Sequence, residues 1–165
     1  MRSVAFCIPG DIGLPTGGYR YDREVLARLT GLGVDCAHVR LDSSFPFPSP
    51  AALAETDRLL HAIDRRTLLL IDGLALGAIP PTMVAGLPHR IVALVHHPLG
   101  LEPGLDPDRA EALLDNEKAV LAHTHHVIVT SATTKRFLIS DFALSERSIT
   151  VACLLYTSTS PRDRT

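Results

Sequence analysis

A doubly wound α/β fold on one parallel sheet is predicted by three observations. Short apolar runs alternate six times with longer amphipathic stretches, and parallel neighbours need such crossovers. The third run, Leu68-Leu69-Leu70-Ile71, is apolar without a break, as in a strand covered on both faces. Two of the intervening stretches open on helix-start pairs, Ser49-Pro50 and Asp106-Pro107.

The elements follow in order. Val4-Ala5-Phe6-Cys7-Ile8 reads as a buried strand, and Tyr21, Val25, Leu26 and Leu29 mark a helix ending near Gly31 and Gly33. Val34 to Leu41 alternates as a more exposed strand does. Asp42 to Pro50, with three prolines, three serines and Phe45 and Phe47, reads as a surface loop able to fold over a cleft. Ser49 and Pro50 open a helix through Leu53, Leu59, Leu60 and Ile63. A strand over Thr67 to Ile71 ends at Asp72-Gly73, and a short helical stretch spans about Ile79 to Ala85. The fourth strand, Arg90 to Val95, terminates in His96-His97-Pro98. Asp106 and Pro107 start the clearest helix, with Ala110, Leu113, Leu114, Val120 and Leu121 on one side. A strand over His126 to Thr130, a helix from Ser131 to about Phe142 and a last strand, Ser148 to Ala152, complete a Rossmann-like sheet of about six strands.

The chain of 165 residues has room for one core, and 46% hydrophobic with 21% charged residues is an ordinary globular composition. A net charge of −2, with scattered basic residues, gives no attraction for nucleic acid, which is not expected as a partner. No apolar run reaches signal-peptide or membrane-spanning length, so the expected compartment is the cytoplasm. Cys7, Cys36 and Cys153 lack C-x-x-C spacing, and neither a disulfide framework nor a cysteine metal site is expected.

Between the first strand and helix lies Pro9-Gly10-Asp11-Ile12-Gly13-Leu14-Pro15-Thr16-Gly17-Gly18-Tyr19. A glycine-rich loop entering a helix is a candidate anion cradle, because the first N–H groups of the helix have no internal partner and the dipole adds positive charge. A phosphate at Gly17-Gly18 and a plain connecting turn are both compatible with the pattern. It is neither G-x-G-x-x-G nor the P-loop pattern. In a strand order 3-2-1-4-5-6, this loop and the His96-His97-Pro98 loop would face each other at the switch point between the first and fourth strands.

Other groups carry less. Adjacent histidines on an extended chain point to opposite sides, so only one of His96 and His97 is expected to face the crevice. His123 and His125 read as solvated helix-end residues, and no metal site is expected. Asp106-Pro107-Asp108 is formally D-x-D, but its place at a helix start makes it a cap. Glu117 lies on the apolar face of its helix, where a carboxylate needs a partner or a ligand; a partly exposed edge position is the simpler reading. No G-x-S-x-G elbow is present, so acyl-transfer hydrolysis has no support.

Four stretches together carry a resemblance: Thr16-Gly17-Gly18-Tyr19-Arg20-Tyr21-Asp22, Ile71-Asp72-Gly73-Leu74-Ala75, Val95-His96-His97-Pro98-Leu99 with Glu102, and Val127-Ile128-Val129-Thr130-Ser131 with Thr134. In their order and placement the chain resembles the N-terminal, acceptor-side half of a family 4 glycosyltransferase of GT-B fold. The resemblance implies retaining transfer of a sugar from a nucleotide-sugar donor to an acceptor, with no metal held by D-x-D and no cofactor. It implies that Gly17 and Gly18 approach the donor diphosphate and that His96 or His97 lies near the reaction centre. Tyr19, Arg20, Tyr21, Asp72, Glu102 and Ser131 are then crevice residues.

The same resemblance implies a second Rossmann-like domain that holds the nucleotide and carries a two-glutamate motif. Residues 1–152 are expected to form the acceptor-side domain, and residues 153–165, which have no helical or strand period, an irregular and non-native tail. The chain is therefore expected to be a fragment, inactive without its C-terminal domain; membrane association of the intact enzyme stays open. The alternative is a freestanding Rossmann-like module that binds a phosphorylated small molecule or a protein partner.

Overall fold

The computed structural model describes residues Ser3–Cys153. The expected tail lies, apart from Cys153, outside the described residues. Six parallel strands form one sheet: β1 (Ser3–Pro9), β2 (Asp35–Leu41), β3 (Leu68–Asp72), β4 (Ile91–Val95), β5 (His126–Val129) and β6 (Ile149–Val151). Between them run α1 (Gly17–Gly31), α2 (Pro50–Ala62), α3 (Gly73–Leu76), α4 (Pro81–Gly86), α5 (Pro107–Leu121) and α6 (Ala132–Ser140). Side-chain caps start four of the helices: Thr16, Ser49, Asp106 and Ser131 each accept the backbone N–H three residues on. The short helical stretch expected at about Ile79 to Ala85 is α4, started by Pro80-Pro81, and an additional turn, α3, which Asp72 caps at Gly73, precedes it.

The strand order is 2-1-3-4-5-6, which corrects the expected 3-2-1-4-5-6. The cause lies in the strands themselves. β3 is almost wholly buried, as a central strand must be, whereas β2 exposes most of its residues and sits at the edge. The reversal of winding therefore falls between β1 and β3. The carboxyl ends of β3 and β4 open beside the β1–α1 loop, where such sheets bind ligands.

Helices cover both faces. Phe6, Ile8, Leu70 and Leu94 meet Tyr21, Val25, Leu26 and Leu29 of α1. On the other face Cys7, Leu69, Ile71, Ala93, Val95, Val127 and Val129 pack with Leu60 of α2, Val120 of α5 and Leu138 of α6. Burial pushes the Cys7 thiol up to about 12, with a smaller contribution from Cys36, so it behaves as an apolar filler. Phe45 is buried in this second core while Phe47 lies beneath the Arg109 guanidinium, 5.3 Å from the ring centroid. The Asp42–Pro50 loop thus packs beside α5. It contributes no side chain to the cleft described next, contrary to its expected role as a cover.

Candidate functional site

A cavity of about 400 Å³ opens at the carboxyl ends of β3 and β4. Thr16, Gly18, Tyr19 and Asp22 line it from α1 and its cap, Asp72 and Leu74 from the end of β3, and His96, His97, Leu99 and Glu102 from the chain after β4. The glycine loop and the histidine pair do share one crevice. They do so across the end of β3, which places Asp72 between them.

The β1–α1 loop is built by local chemistry. Gly10 has φ +74°, a conformation that suits glycine, and it lets the chain leave β1 sharply. The Tyr19 hydroxyl donates to the Pro9 carbonyl, and Arg23 donates to the carbonyls of Ile12 and Leu14. These bonds return the loop onto α1 and fix its first turn at the cleft. That turn contains no acidic residue, so its unshared N–H groups present a net positive end.

His96 occupies the centre. Its Nε2 lies 3.0 Å from Asp22 Oδ1 and 3.4 Å from Asp72 Oδ2. Tyr21 meets its ring edge-on, with centroids 5.2 Å apart. The His96 carbonyl accepts from the Thr130 and Thr134 hydroxyls at 3.4 and 3.3 Å, so both ends of the residue are held. Burial disfavours the charged imidazole, but its hydrogen bonds to Asp22 and Asp72, with their charges, outweigh that and push it up to about 9. Asp22 is fully buried, with Oδ2 lacking a hydrogen-bond partner among the described residues. Its burial, helped by the Asp72 charge, outweighs the His96 hydrogen bond and raises it to about 6. Tyr19 is raised too, by burial and by the charges of Asp72, Asp22 and Asp11.

Both histidines line the cavity, which corrects the expectation that only one would. β4 ends at Val95, and residues 96 and 97 bend away from the extended path that would separate them. His96 is partly buried and His97 exposed.

The chain after β4 is fastened from α5. Glu117 is 1% exposed, and its Oε2 accepts the Leu99 N–H at 2.9 Å. This overturns the edge reading: the residue is fully inside, with burial raising it to about 7 against the opposing Leu99 bond. Asn116 beside it donates to the carbonyls of Gly77 and Ile79. Gly100 touches α5 so closely that a Cβ would stand 2.2 Å from the Ala110 carbonyl oxygen. Adjacent residues of one helix therefore tie down the chain that follows both β3 and β4.

The remaining expected site residues divide. Gly18, Tyr19, Asp72 and Glu102 line the cavity. Gly17 opens α1 beside Gly18, facing open space. Tyr21 lies behind His96, its hydroxyl bonded to the Ala152 carbonyl, and Arg20 is exposed on α1. Neither lines the cavity, and Ser131 is occupied with capping α6 and bonding Thr134. Asp22 and Thr134 carry more of the site's geometry than any of these three. A signal for Asp22 was present: with Val25, Leu26 and Leu29 it forms an i, i+3, i+4, i+7 set, which puts a carboxylate on the apolar face of α1.

Outside the cleft, His125 Nδ1 accepts the Ile91 N–H and His126 pairs with the Thr150 hydroxyl at 2.8 Å. Asp106 accepts from the Arg109 N–H at 3.0 Å, as the capping reading of D-x-D expects. Among the described residues, no helix is long and apolar enough to cross a membrane. The chain matches no protein-family model and no curated protein.

Proposed function

We propose that this chain is the acceptor-side half of a retaining glycosyltransferase that moves a sugar from a nucleotide-sugar donor to an acceptor hydroxyl. The observation that carries the reading is the approach of two unlike groups across one cleft: a Cβ on Gly18 would stand 3.8 Å from the His96 ring. The cleft is electrically divided. The α1 end offers backbone N–H groups suited to a diphosphate. Asp22 and Asp72 lie buried at the base of the cleft and Glu102 at an exposed part of its lining, and among the described residues neither lysine nor arginine lines it.

Such a floor suits hydroxyl groups, which donate to carboxylates, better than a second anion. In the proposed reaction the bond from the anomeric carbon to the donor phosphate oxygen breaks. The new bond forms to the acceptor oxygen on the same face, and the acceptor hydroxyl passes its proton to the departing diphosphate oxygen, which has taken the electron pair of the broken bond. His96 acts as a fixed hydrogen-bonding cation, because both neighbouring carboxylates hold it in that form. His97, Tyr19 and Glu102 meet the sugar or acceptor. The nucleotide belongs to a second domain, whose presence turnover requires.

The test is chemical-shift mapping of the chain with a panel of nucleotide sugars. Perturbations centred on Gly18, His96 and Glu102, weaker for the matching nucleotide without its sugar, are expected. Binding of inorganic phosphate or simple phosphorylated metabolites alone would favour the freestanding module instead. Shifts mapping to another face would refute both.

A further inference from the structure

We propose that Asp22, Asp72 and His96 form a divalent transition-metal site, suited to Zn²⁺. The inference does not depend on the transferase reading, and it replaces the protonated His96 of that reading, since a metal on Nε2 takes the place of the proton there. Each residue offers one donor atom, and the three atoms lie within 4.8 Å of one another. They come from three separate segments: α1, the last residue of β3 and the turn after β4. Contacts of the imidazole at 3.0 and 3.4 Å bracket the edge of about 3.3 Å expected between ligands of a tetrahedral zinc with bonds of about 2.0–2.1 Å.

An independent observation points to a missing ligand. Asp22 is 0% exposed, yet its Oδ2 has no hydrogen-bond partner among the described residues. A buried carboxylate oxygen without a partner is costly, and the residue that carries it belongs to both the cluster and the cavity lining. Charge argues the same way. With both carboxylates ionised, a proton on the imidazole leaves the cluster at −1, whereas a divalent cation on the neutral imidazole brings it to zero. One imidazole with two carboxylates suits Zn²⁺ or Mn²⁺ better than the all-oxygen sets of Ca²⁺ and Mg²⁺.

The cleft leaves the fourth position open to a water or to a ligand oxygen, as in zinc sites that act on substrates. Support from outside the three ligands is also built in. The His96 carbonyl is held by Thr130 and Thr134, and the Asp72 Oδ1 by the Leu74 N–H at 2.7 Å.

The experiment is calorimetric titration of the full chain with Zn²⁺, alongside Asp22→Asn and Asp72→Asn. One ion per chain is expected, with affinity reduced at least about tenfold by either substitution. His61→Ala, which removes a surface histidine lying beside Asp57, should leave it unchanged. Asparagine still caps α3 at position 72, and circular dichroism checks that each variant folds. If neither folds, paramagnetic broadening by Co²⁺ in the unaltered chain decides, since it should centre on Thr16, Gly18 and His96. No binding, binding that survives both substitutions, or broadening centred on His61 or on His123 to His126 overturns the proposal.

Discussion

His96 Nε2 stands 3.0 Å from Asp22 Oδ1, a contact between residues 74 positions apart. It links the turn after β4 to the first helix over the end of β3, and the cleft takes its floor from it. The surrounding burial makes the contact strong, because little water competes for either partner.

The imidazole should therefore hold its proton well above the ordinary range. In the metal-free protein, NMR titration of the His96 ring should give a pKa near 9. Asp22→Asn should lower it by about one to two units, since burial then opposes a weaker set of partners. For folding, a raised pKa means stability fully present below the unfolded value of 6.5 and lost as pH rises through about 9. An ordinary histidine titration, unmoved by the substitution, would show that the contact does not persist in solution.

Glu117 makes a separate pH forecast. Its folded pKa is raised from 4.5 to about 7, so its contribution to stability is full below 4.5 and fades as pH rises through 7. Glu117→Gln keeps an acceptor for the Leu99 N–H and removes the titration. Urea unfolding at pH 5 and pH 8 should show the parent losing about 2–3 kcal/mol more than the variant. Parallel losses would mean that the carboxylate does not titrate inside the fold.

Glycine is required at 100 for packing and tolerated at 18 without it. Gly100→Ala places a methyl against the Ala110 carbonyl and Leu114, and should cost about 1–3 kcal/mol or more. Gly18→Ala meets only ordinary contacts with His96 and should leave the melting temperature nearly unchanged. A bulkier residue at 18 should fill the cleft and block ligand there while the fold survives. Equal thermal penalties at 18 and 100 would contradict the packing described.

The D-x-D at Asp106 is a cap, and its removal should behave as one. Asp106→Ala should destabilise the chain by about 1 kcal/mol and leave Zn²⁺ or nucleotide-sugar binding as it was. A large loss of binding with no change in stability would restore a ligand role to that pair.

The alternation of strands and helices, the helix starts at Ser49 and Asp106 and the burial of β3 on both faces are legible in the chain alone. Each of these is written in near neighbours: hydrophobic period, capping residue, unbroken apolar run. The sequence also indicated the β1–α1 loop and the histidine pair as parts of one crevice. Strand order, the placing of both histidines on the cavity and the burial of Asp22 and Glu117 depend on contacts between distant parts of the chain. The physical reason is that a carboxylate on an apolar helix face reads alike at an edge and in a core. Its partner tells them apart, and here the partners, His96 for Asp22 and the Leu99 N–H for Glu117, come from distant parts of the chain. The folded sheet, by setting β3 between β1 and β4, brought them together.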